Sequence, residues 1–165
     1  TALSAADSAV AASEETPTPP AGDEAESVQA REAREREASA EVRRAIENVN
    51  EAWVDGNLDR HMRYYADRVD YYAANNATRD FVREDRGRDL RKYDDREMRV
   101  NRTAITFPTP NRARALVDKE WRFAGSGEVW TGAMRQELIF ARIDGDWKIV
   151  SEKSNQVYHS RKRPL

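Results

Sequence analysis

The hydrophobic positions in the first half of the chain recur at helical spacing. Four apolar residues predict the buried face of one long helix: Val42, Ile46, Val49 and Trp53. Asp55-Gly56 predicts the end of this helix, because glycine tolerates the left-handed conformation that follows many helices. Upstream, residues 28–41 are rich in arginine and glutamate with alanine between them, which predicts a charged helical lead-in.

Shorter elements are predicted between this helix and the second half of the chain. A second helix should begin at a cap provided by Asn57 or Asp59. It should end at Tyr65, and its inward residues are Leu58, Met62 and Tyr65. A strand is expected over residues 69–72 and a polar loop over residues 73–77. Thr78 then caps a third helix that carries four larger apolar side chains: Phe81, Val82, Leu90 and Tyr93.

The period of the pattern changes to two in the second half. Four segments alternate apolar and polar residues and are predicted strands: residues 98–107, 112–123, 130–142 and 147–158. Asp144-Gly145 joins the last two and is a strong signal for a two-residue hairpin, because both residues of the turn need positive φ. Helices followed by four antiparallel strands predict an α+β fold.

Composition and charge exclude several classes of function. Charged residues make up 35% of the chain but the net charge is only −2, so no basic surface for nucleic acid or an anionic membrane is expected. The short basic end, residues 159–165, is interpreted as a solvated tail. The chain has no cysteine, which excludes disulfides, thiolate metal sites and thiol nucleophiles. No apolar run approaches the roughly 18 residues of a transmembrane helix.

The N-terminal segment, residues 1–27, consists mainly of alanine, serine, threonine, glutamate and proline. It has too few apolar residues to fold alone and is predicted to be a flexible tail or linker, ordered by a second copy or a partner protein. The chain begins at Thr1, which would fit a mature product or a fragment. A charged helical lead-in over residues 28–41 and a folded domain over residues 42–158 complete the predicted organisation.

Three stretches resemble the nuclear transport factor 2-like superfamily, with its SnoaL-like and ketosteroid isomerase-like relatives. The matching stretches are Ala52-Trp53 through Asp59, Tyr64 through Tyr72, and Gly145 through Val150. The chain is most similar in character to uncharacterised bacterial domains of envelope proteins. The resemblance implies a curved antiparallel sheet wrapped around helices as a cone, with a pocket at the open end and a tendency to dimerise through the sheet. It does not imply one function.

The resemblance also marks two positions at which an isomerase would carry its chemistry. It places Ala73 where a ketosteroid isomerase has its general base and Val49 where it has a tyrosine. Neither side chain transfers protons, which argues against that mechanism. Asp70 is the carboxylate that a shifted loop would bring nearby. No cofactor is expected.

Polar residues within apolar strand faces are the candidate site residues. Lys119, Gln136 and Glu152 each interrupt an apolar row, and a meander of strands would bring them together inside the cone. A buried lysine needs a counter-charge, for which Glu152 is the candidate. Three aromatic residues complete the candidate pocket: Tyr72, Trp121 and Trp130. The alternatives are a ligand pocket, a satisfied internal ion pair, or side chains on the solvated outer face.

Other charged residues are ambiguous. The third helix would present an anion-binding rim or a solvated face with ion pairs, formed by Arg79, Arg83, Arg86, Arg88, Arg91, Asp80, Glu84, Asp85 and Asp89. His61 and His159 are both predicted to be solvated. Neither histidine has a suitably spaced histidine or carboxylate, so no metal site is expected.

Three functions are compatible with these observations. The leading hypothesis is a non-catalytic binding or self-assembly module, because the isomerase residues are missing. The second is a SnoaL-like small-molecule enzyme (cyclase, dehydratase or isomerase) with four acid–base groups: Asp70, Tyr72, Lys119 and Glu152. The third is an accessory domain of a larger envelope protein. We expect a homo-oligomer, either a dimer or a larger assembly, and a bacterial, extracytoplasmic (periplasmic or secreted) location.

Overall fold

The computed structural model describes residues 26–165. The helices are α1 (Val28–Val54), α2 (Leu58–Met62) and α3 (Arg79–Lys92). The strands are β1 (Tyr65–Tyr71), β2 (Ala74–Thr78), β3 (Asp95–Thr109), β4 (Arg112–Gly125), β5 (Glu128–Ile143) and β6 (Asp146–Pro164). Helices therefore precede the long strands, as the change of hydrophobic period predicts.

A polar side chain caps the first turn of each helix. Ser27, Asn57 and Thr78 accept hydrogen bonds from the backbone N–H three residues later, at 3.1, 3.0 and 3.1 Å. The cap at Thr78 is as predicted, and of the two candidates for α2 it is Asn57 that caps the helix. The third cap fixes the start of α3, which carries a residue of the candidate site.

The six strands form one mixed sheet in the order β2-β1-β6-β5-β4-β3. The four long strands β3 to β6 pair antiparallel in a meander, as predicted, whereas β1 runs parallel to β6. These four strands have 15, 14, 16 and 19 residues. The sheet is curved and does not close into a barrel, since the right-handed twist accumulates along strands of this length. The fold class is α+β.

The inner face of the sheet packs against α1. Every second residue of β4 from Ala113 to Phe123 is buried, which is the period of a strand with one face in the core. The predicted face of α1 is buried against it, including Val42, Ile46, Val49 and Trp53. A second, aromatic group of core residues lies further along the sheet and comprises Trp53, Tyr93, Trp121, Phe123 and Met134. The helix and the inner strand faces thus enclose a continuous apolar interior.

Several boundaries differ from the prediction. The second helix ends at Met62, and Tyr65 begins β1 instead of closing the helix. Most of the predicted loop, residues 73–77, belongs to β2 (Ala74–Thr78), because β1 offers a partner strand that local sequence does not reveal. Most of the predicted basic tail is strand: β6 continues to Pro164 and pairs with the start of β5.

Two further observations concern the ends and the membrane. The predicted tail, residues 1–27, lies outside the described residues except for residues 26 and 27. Among residues 26–165, none of the helices is long and apolar enough to span a membrane.

Candidate functional site

A cavity of about 320 Å³ lies between the helices and the inner face of the sheet. Its walls come from α1, α2, α3 and β1 and from the four long strands. One part of the lining is aromatic and apolar: Trp53, Met98, Trp121, Phe123, Trp130 and Met134. The other part is a cluster of buried polar groups around Glu152. The volume is within the range of cavities that bind small organic molecules.

Glu152 is the centre of the polar cluster and is 1% exposed. The Tyr65 hydroxyl donates to its Oε2 at 2.6 Å, and the Tyr72 hydroxyl donates to its Oε1 at 3.1 Å. Gln136 Nε2 donates to Oε1 at 2.8 Å, and the Arg86 guanidinium donates to the same oxygen. The carboxylate therefore accepts from four side chains, which is the environment that an ionised buried carboxylate needs.

Arg86 is the charge partner of Glu152, and its side chain is only 15% exposed. Its guanidinium carbon lies 5.4, 5.3 and 5.9 Å from the ring centroids of Trp53, Tyr71 and Tyr72. These rings stabilise the cation through their faces and shield it from water. Arg86 sits on α3 one turn after buried Val82, so the helix aims it at the sheet.

Lys119 and Gln136 extend the cluster along the inner face of β4 and β5. Lys119 is 9% exposed and Gln136 is 2% exposed. Lys119 Nζ donates to Gln136 Oε1 at 3.0 Å, and the amide nitrogen of Gln136 serves Glu152. Gln136 thus bridges the ammonium and the carboxylate. The oxygen of the side-chain amide accepts from Lys119 and its nitrogen donates to Glu152, so both ends of the amide are hydrogen-bonded.

Burial and the charges of the cluster set the pKa values of its members. Burial raises the pKa of Glu152, but the Arg86 and Lys119 cations outweigh it and hold that pKa below its ordinary value. Burial lowers the pKa of Lys119 to about 8, with Glu152 opposing the change and Arg86 adding to it. Burial and the Glu152 charge raise the pKa of Tyr72 to about 12. The pKa of Tyr65 is raised by the same two causes.

His61 lies beneath this cluster and is 5% exposed. Its Nδ1 is 2.8 Å from the Val49 carbonyl oxygen, which only accepts, so Nδ1 carries the proton and Nε2 has the lone pair. Nε2 lies 3.3 Å from the Tyr65 hydroxyl, whose single proton is directed at Glu152 over the shorter distance of 2.6 Å. Burial, reinforced by the Arg86 charge, lowers the pKa of His61 to about 4. The imidazole is therefore neutral at pH 7.

Two backbone features shape the cavity. Tyr72 has a φ of 50° and its N–H donates to the Glu152 carbonyl at 2.8 Å, which holds its ring over the carboxylate. Gly132 lies opposite Trp121 in the sheet, and a Cβ at that position would come within 2.1 Å of the indole ring. Because Gly132 has no side chain, the indole ring of Trp121 can pack directly against the backbone of β5.

All six residues of the predicted pocket line this one cavity: Tyr72, Lys119, Trp121, Trp130, Gln136 and Glu152. Glu152 is close enough to Lys119 for the two charges to influence each other's pKa, but Gln136 bridges them and Arg86 is the ion-pair partner in contact with the carboxylate. Asp70 is exposed and accepts from the backbone N–H of Asn76, so it is not a cavity group.

The prediction that His61 is solvated is also wrong, because α2 packs it against Val49 and Tyr65. His159 is exposed, as predicted, but it lies within β6 and pairs with Ala133. The arginines of α3 have two different environments. Arg83 and Arg88 form exposed ion pairs, whereas Arg86 points inward. The interval of four residues from Val82 to Arg86 is the sequence signal that could have identified the inward arginine.

The chemistry available in the cavity is limited. Glu152 is ionised but saturated with donors, and His61 is a weak base because of its low pKa. Ala73 is exposed in the turn after β1, and Val49 is an apolar part of the lining. Lys119 is the group whose pKa lies closest to neutrality in this cluster. Within residues 26–165 no group of three histidine or carboxylate side chains is arranged to hold a metal ion.

Comparisons with known proteins identify the fold. No family model and no curated protein matches the sequence. Among solved structures, a scytalone dehydratase-like protein from Novosphingobium aromaticivorans superposes with a TM-score of 0.72 at 9% identity, over 81% of this chain and 93% of that one. A hexachlorocyclohexane dehydrochlorinase from Novosphingobium barchaimii gives 0.65 at 10% identity, over 81% and 94%.

A third similar structure is a calcium/calmodulin-dependent protein kinase II association domain-like protein from Xanthomonas campestris. It gives a TM-score of 0.61 at 18% identity, over 72% of this chain and 87% of that one. The chain has the cone-shaped nuclear transport factor 2-like fold that the resemblance implied. At these identities the likeness is one of fold.

Proposed function

We propose that this chain is a binding module for a small, largely aromatic molecule that occupies the cone cavity. One observation carries the proposal: an aromatic cavity ends at a buried polar cluster whose carboxylate is fully hydrogen-bonded. The aromatic walls would provide apolar contact area, and the polar end would orient the ligand.

The state of the ionisable groups supports binding without catalysis. A general base needs a free lone pair and a pKa near the working pH. Glu152 accepts from four side chains, and its pKa is lowered. The lone pair of the neutral imidazole of His61 is at Nε2, which lies 3.3 Å from the Tyr65 hydroxyl. These groups hold the cavity in shape, and this is the role that we assign to them.

A small-molecule enzyme is the second candidate, and Lys119 is the observation that favours it. A buried amine with a pKa of about 8 is partly unprotonated at mildly alkaline pH and could accept a proton from a bound substrate. Two of the structurally similar proteins carry the names of enzymes, a dehydratase and a dehydrochlorinase. Turnover of a bound compound that is lost in Lys119→Met would favour this candidate over the binding module.

Self-assembly, a partner protein and an accessory role in a larger envelope protein stay predictions from the sequence. The outer face of the sheet carries ion pairs between arginine and carboxylate, such as Arg135 with Asp118 at 2.8 Å and Arg114 with Glu137 at 2.6 Å. A polar face of this kind is compatible with solvent or with a polar partner, so it does not distinguish a free surface from an interface.

The binding proposal is tested with the neutral fluorescent probe N-phenyl-1-naphthylamine. Ser154 lines the mouth of the cavity and is exposed, so Ser154→Trp should fold and obstruct the entrance. We expect it to weaken binding of the probe by about tenfold or more. The matched control is Gln156→Trp, which places the same side chain on the outer face of β6 opposite Arg135 and should bind as the wild type does.

Fluorescence titration of the probe into the three proteins checks this expectation. Equal affinities in both variants would place the probe outside the cavity. The absence of probe binding in the wild type would count against the proposed function itself.

A further inference from the structure

The charges around the cavity indicate the kind of ligand that it would bind. Arg86 and Glu152 neutralise each other as an ion pair. Lys119 adds a second cation; its described hydrogen bond goes to the neutral Gln136, and within the described range no carboxylate oxygen lies within 4.0 Å of its Nζ. The polar cluster of Arg86, Lys119, Gln136 and Glu152 therefore carries a net positive charge while Lys119 is protonated.

Besides Glu152, the acidic residues of the lining are Asp85 and Asp89 on α3. Asp85 accepts from the Tyr71 hydroxyl at 2.6 Å and from Arg88 at 2.8 Å. Burial raises the pKa of Asp89 against the opposing charge of Arg86, which favours its neutral form. Neither residue forms an ion pair with Lys119, so the positive charge of that ammonium remains uncompensated by a contact.

We propose that the cavity binds an aromatic carboxylate, with the anionic group neutralised by Lys119, which lines the cavity and has no carboxylate partner within ion-pair distance. The ring would pack on the wall formed by Phe123 and Trp130, whose centroids are 5.8 Å apart. Three features would then be explained together: the aromatic lining, the second cation and the pairing of Glu152 with Arg86. The inference rests on the proposed binding function and names the class of ligand for that site.

Two ligands of the same shape test it: 2-naphthoate, which is an anion, and 2-naphthamide, which is neutral. Affinities are measured at about pH 7 by calorimetry and by displacement of N-phenyl-1-naphthylamine. We expect 2-naphthoate to bind about tenfold tighter or more, because a charge-assisted contact at a desolvated cation is stronger than a neutral one. Lys119→Met should abolish this preference, so that the two ligands bind to the variant with affinities within about threefold of each other.

Lys153→Met is the matched control, since it removes an ammonium from the outer face of β6, one residue after Glu152. It should keep the preference for the carboxylate. A second measurement needs no variant. The preference of the wild-type protein should fall as the pH rises through about 8, where Lys119 loses its proton while the carboxylate of the ligand stays ionised.

The outcomes separate the two levels of the proposal. Equal affinities of both ligands, or a preference that is insensitive to pH and persists in Lys119→Met, would overturn the carboxylate inference while leaving the binding function in place. If Lys119→Met does not fold, the pH dependence of the wild type decides. Failure of the neutral probe and of both naphthalene ligands to bind would instead count against the binding function.

Discussion

Glu152→Gln is expected to lower the free energy of unfolding by about 3–5 kcal/mol, because it leaves the buried Arg86 guanidinium without a counter-charge. The glutamine retains the shape of the side chain, so the loss reports charge rather than volume. Arg86 has aromatic rings on several sides and is 15% exposed, which prevents water from replacing the carboxylate. Urea unfolding monitored by circular dichroism at about pH 7 measures the effect.

A double-mutant cycle separates the pair from its surroundings. Arg86→Met should cost less than Glu152→Gln, since Glu152 keeps its bonds from Tyr65, Tyr72 and Gln136. The double variant should be more stable than the sum of the two effects predicts, by about 2 kcal/mol or more. The control is Glu120→Gln at the exposed pair with Arg99, which should change stability by less than about 1 kcal/mol. A Glu152→Gln effect of that same small size would contradict the account of the cluster.

Acid destabilisation that depends on His61 is the second large effect. The pKa of His61 is about 4 in the folded protein and about 6.5 when the side chain is solvated. The unfolded chain therefore binds a proton that the folded protein excludes, and stability is lost as the pH falls from about 6.5 towards 4. The difference between the two pKa values, at about 1.4 kcal/mol per unit, amounts to about 3 kcal/mol in total.

Most of this loss should occur in an accessible range of pH. Between about pH 7 and about pH 4.5, the wild type should lose about 2 kcal/mol more stability than His61→Asn, whose amide can still donate to the Val49 carbonyl. Protonation of Glu152 also destabilises the folded protein in acid, because the pKa of Glu152 is lowered in the folded state. Glu152 is present in both proteins, so its contribution cancels in the comparison. Urea midpoints at a series of pH values give the two curves. Parallel curves would show that His61 is solvated or already charged.

The framework of the fold is predictable because it depends on short-range patterns. The period of two in the second half gives β3 to β6, and the Asp144-Gly145 turn fixes the last hairpin, where both residues have positive φ. β2 is different. Residues 74–78 are polar and weak strand formers, and they are a strand only because β1 lies beside them.

The inward orientation of Glu152 depends on a bulge in the sheet. Simple alternation from buried Ile149 would direct Ser151 inward and Glu152 outward. A bulge between β5 and β6, where Ile139 pairs with Ser151 and Phe140 pairs with Ile149, inserts one residue and turns Glu152 to the inner face. Bulges have no reliable signal in a single sequence, so the neighbours of Glu152 were predictable only in part.

The burial of Arg86 and His61 is hard to predict for a physical reason as well. Charged residues dominate α3, and such a helix usually has a solvated face, so Arg86 resembles the other arginines of the helix. Its interval of four residues from buried Val82 is the usable signal. His61 lies in a five-residue helix, for which helical periodicity is a weak guide.

The central claim is that the cavity beside the Glu152 cluster is the ligand site, and the indole N–H resonances of the four tryptophans test it most directly. Trp53 and Trp121 line the cavity, whereas Trp147 donates to Glu41 at 2.8 Å and does not line it. On addition of 2-naphthoate, ¹H–¹⁵N spectra should show the Trp53 and Trp121 signals shifting because the aromatic ring of the ligand packs beside them, with Trp147 unchanged. Unchanged Trp53 and Trp121 signals at saturating ligand, or an equal shift of Trp147, would contradict the account.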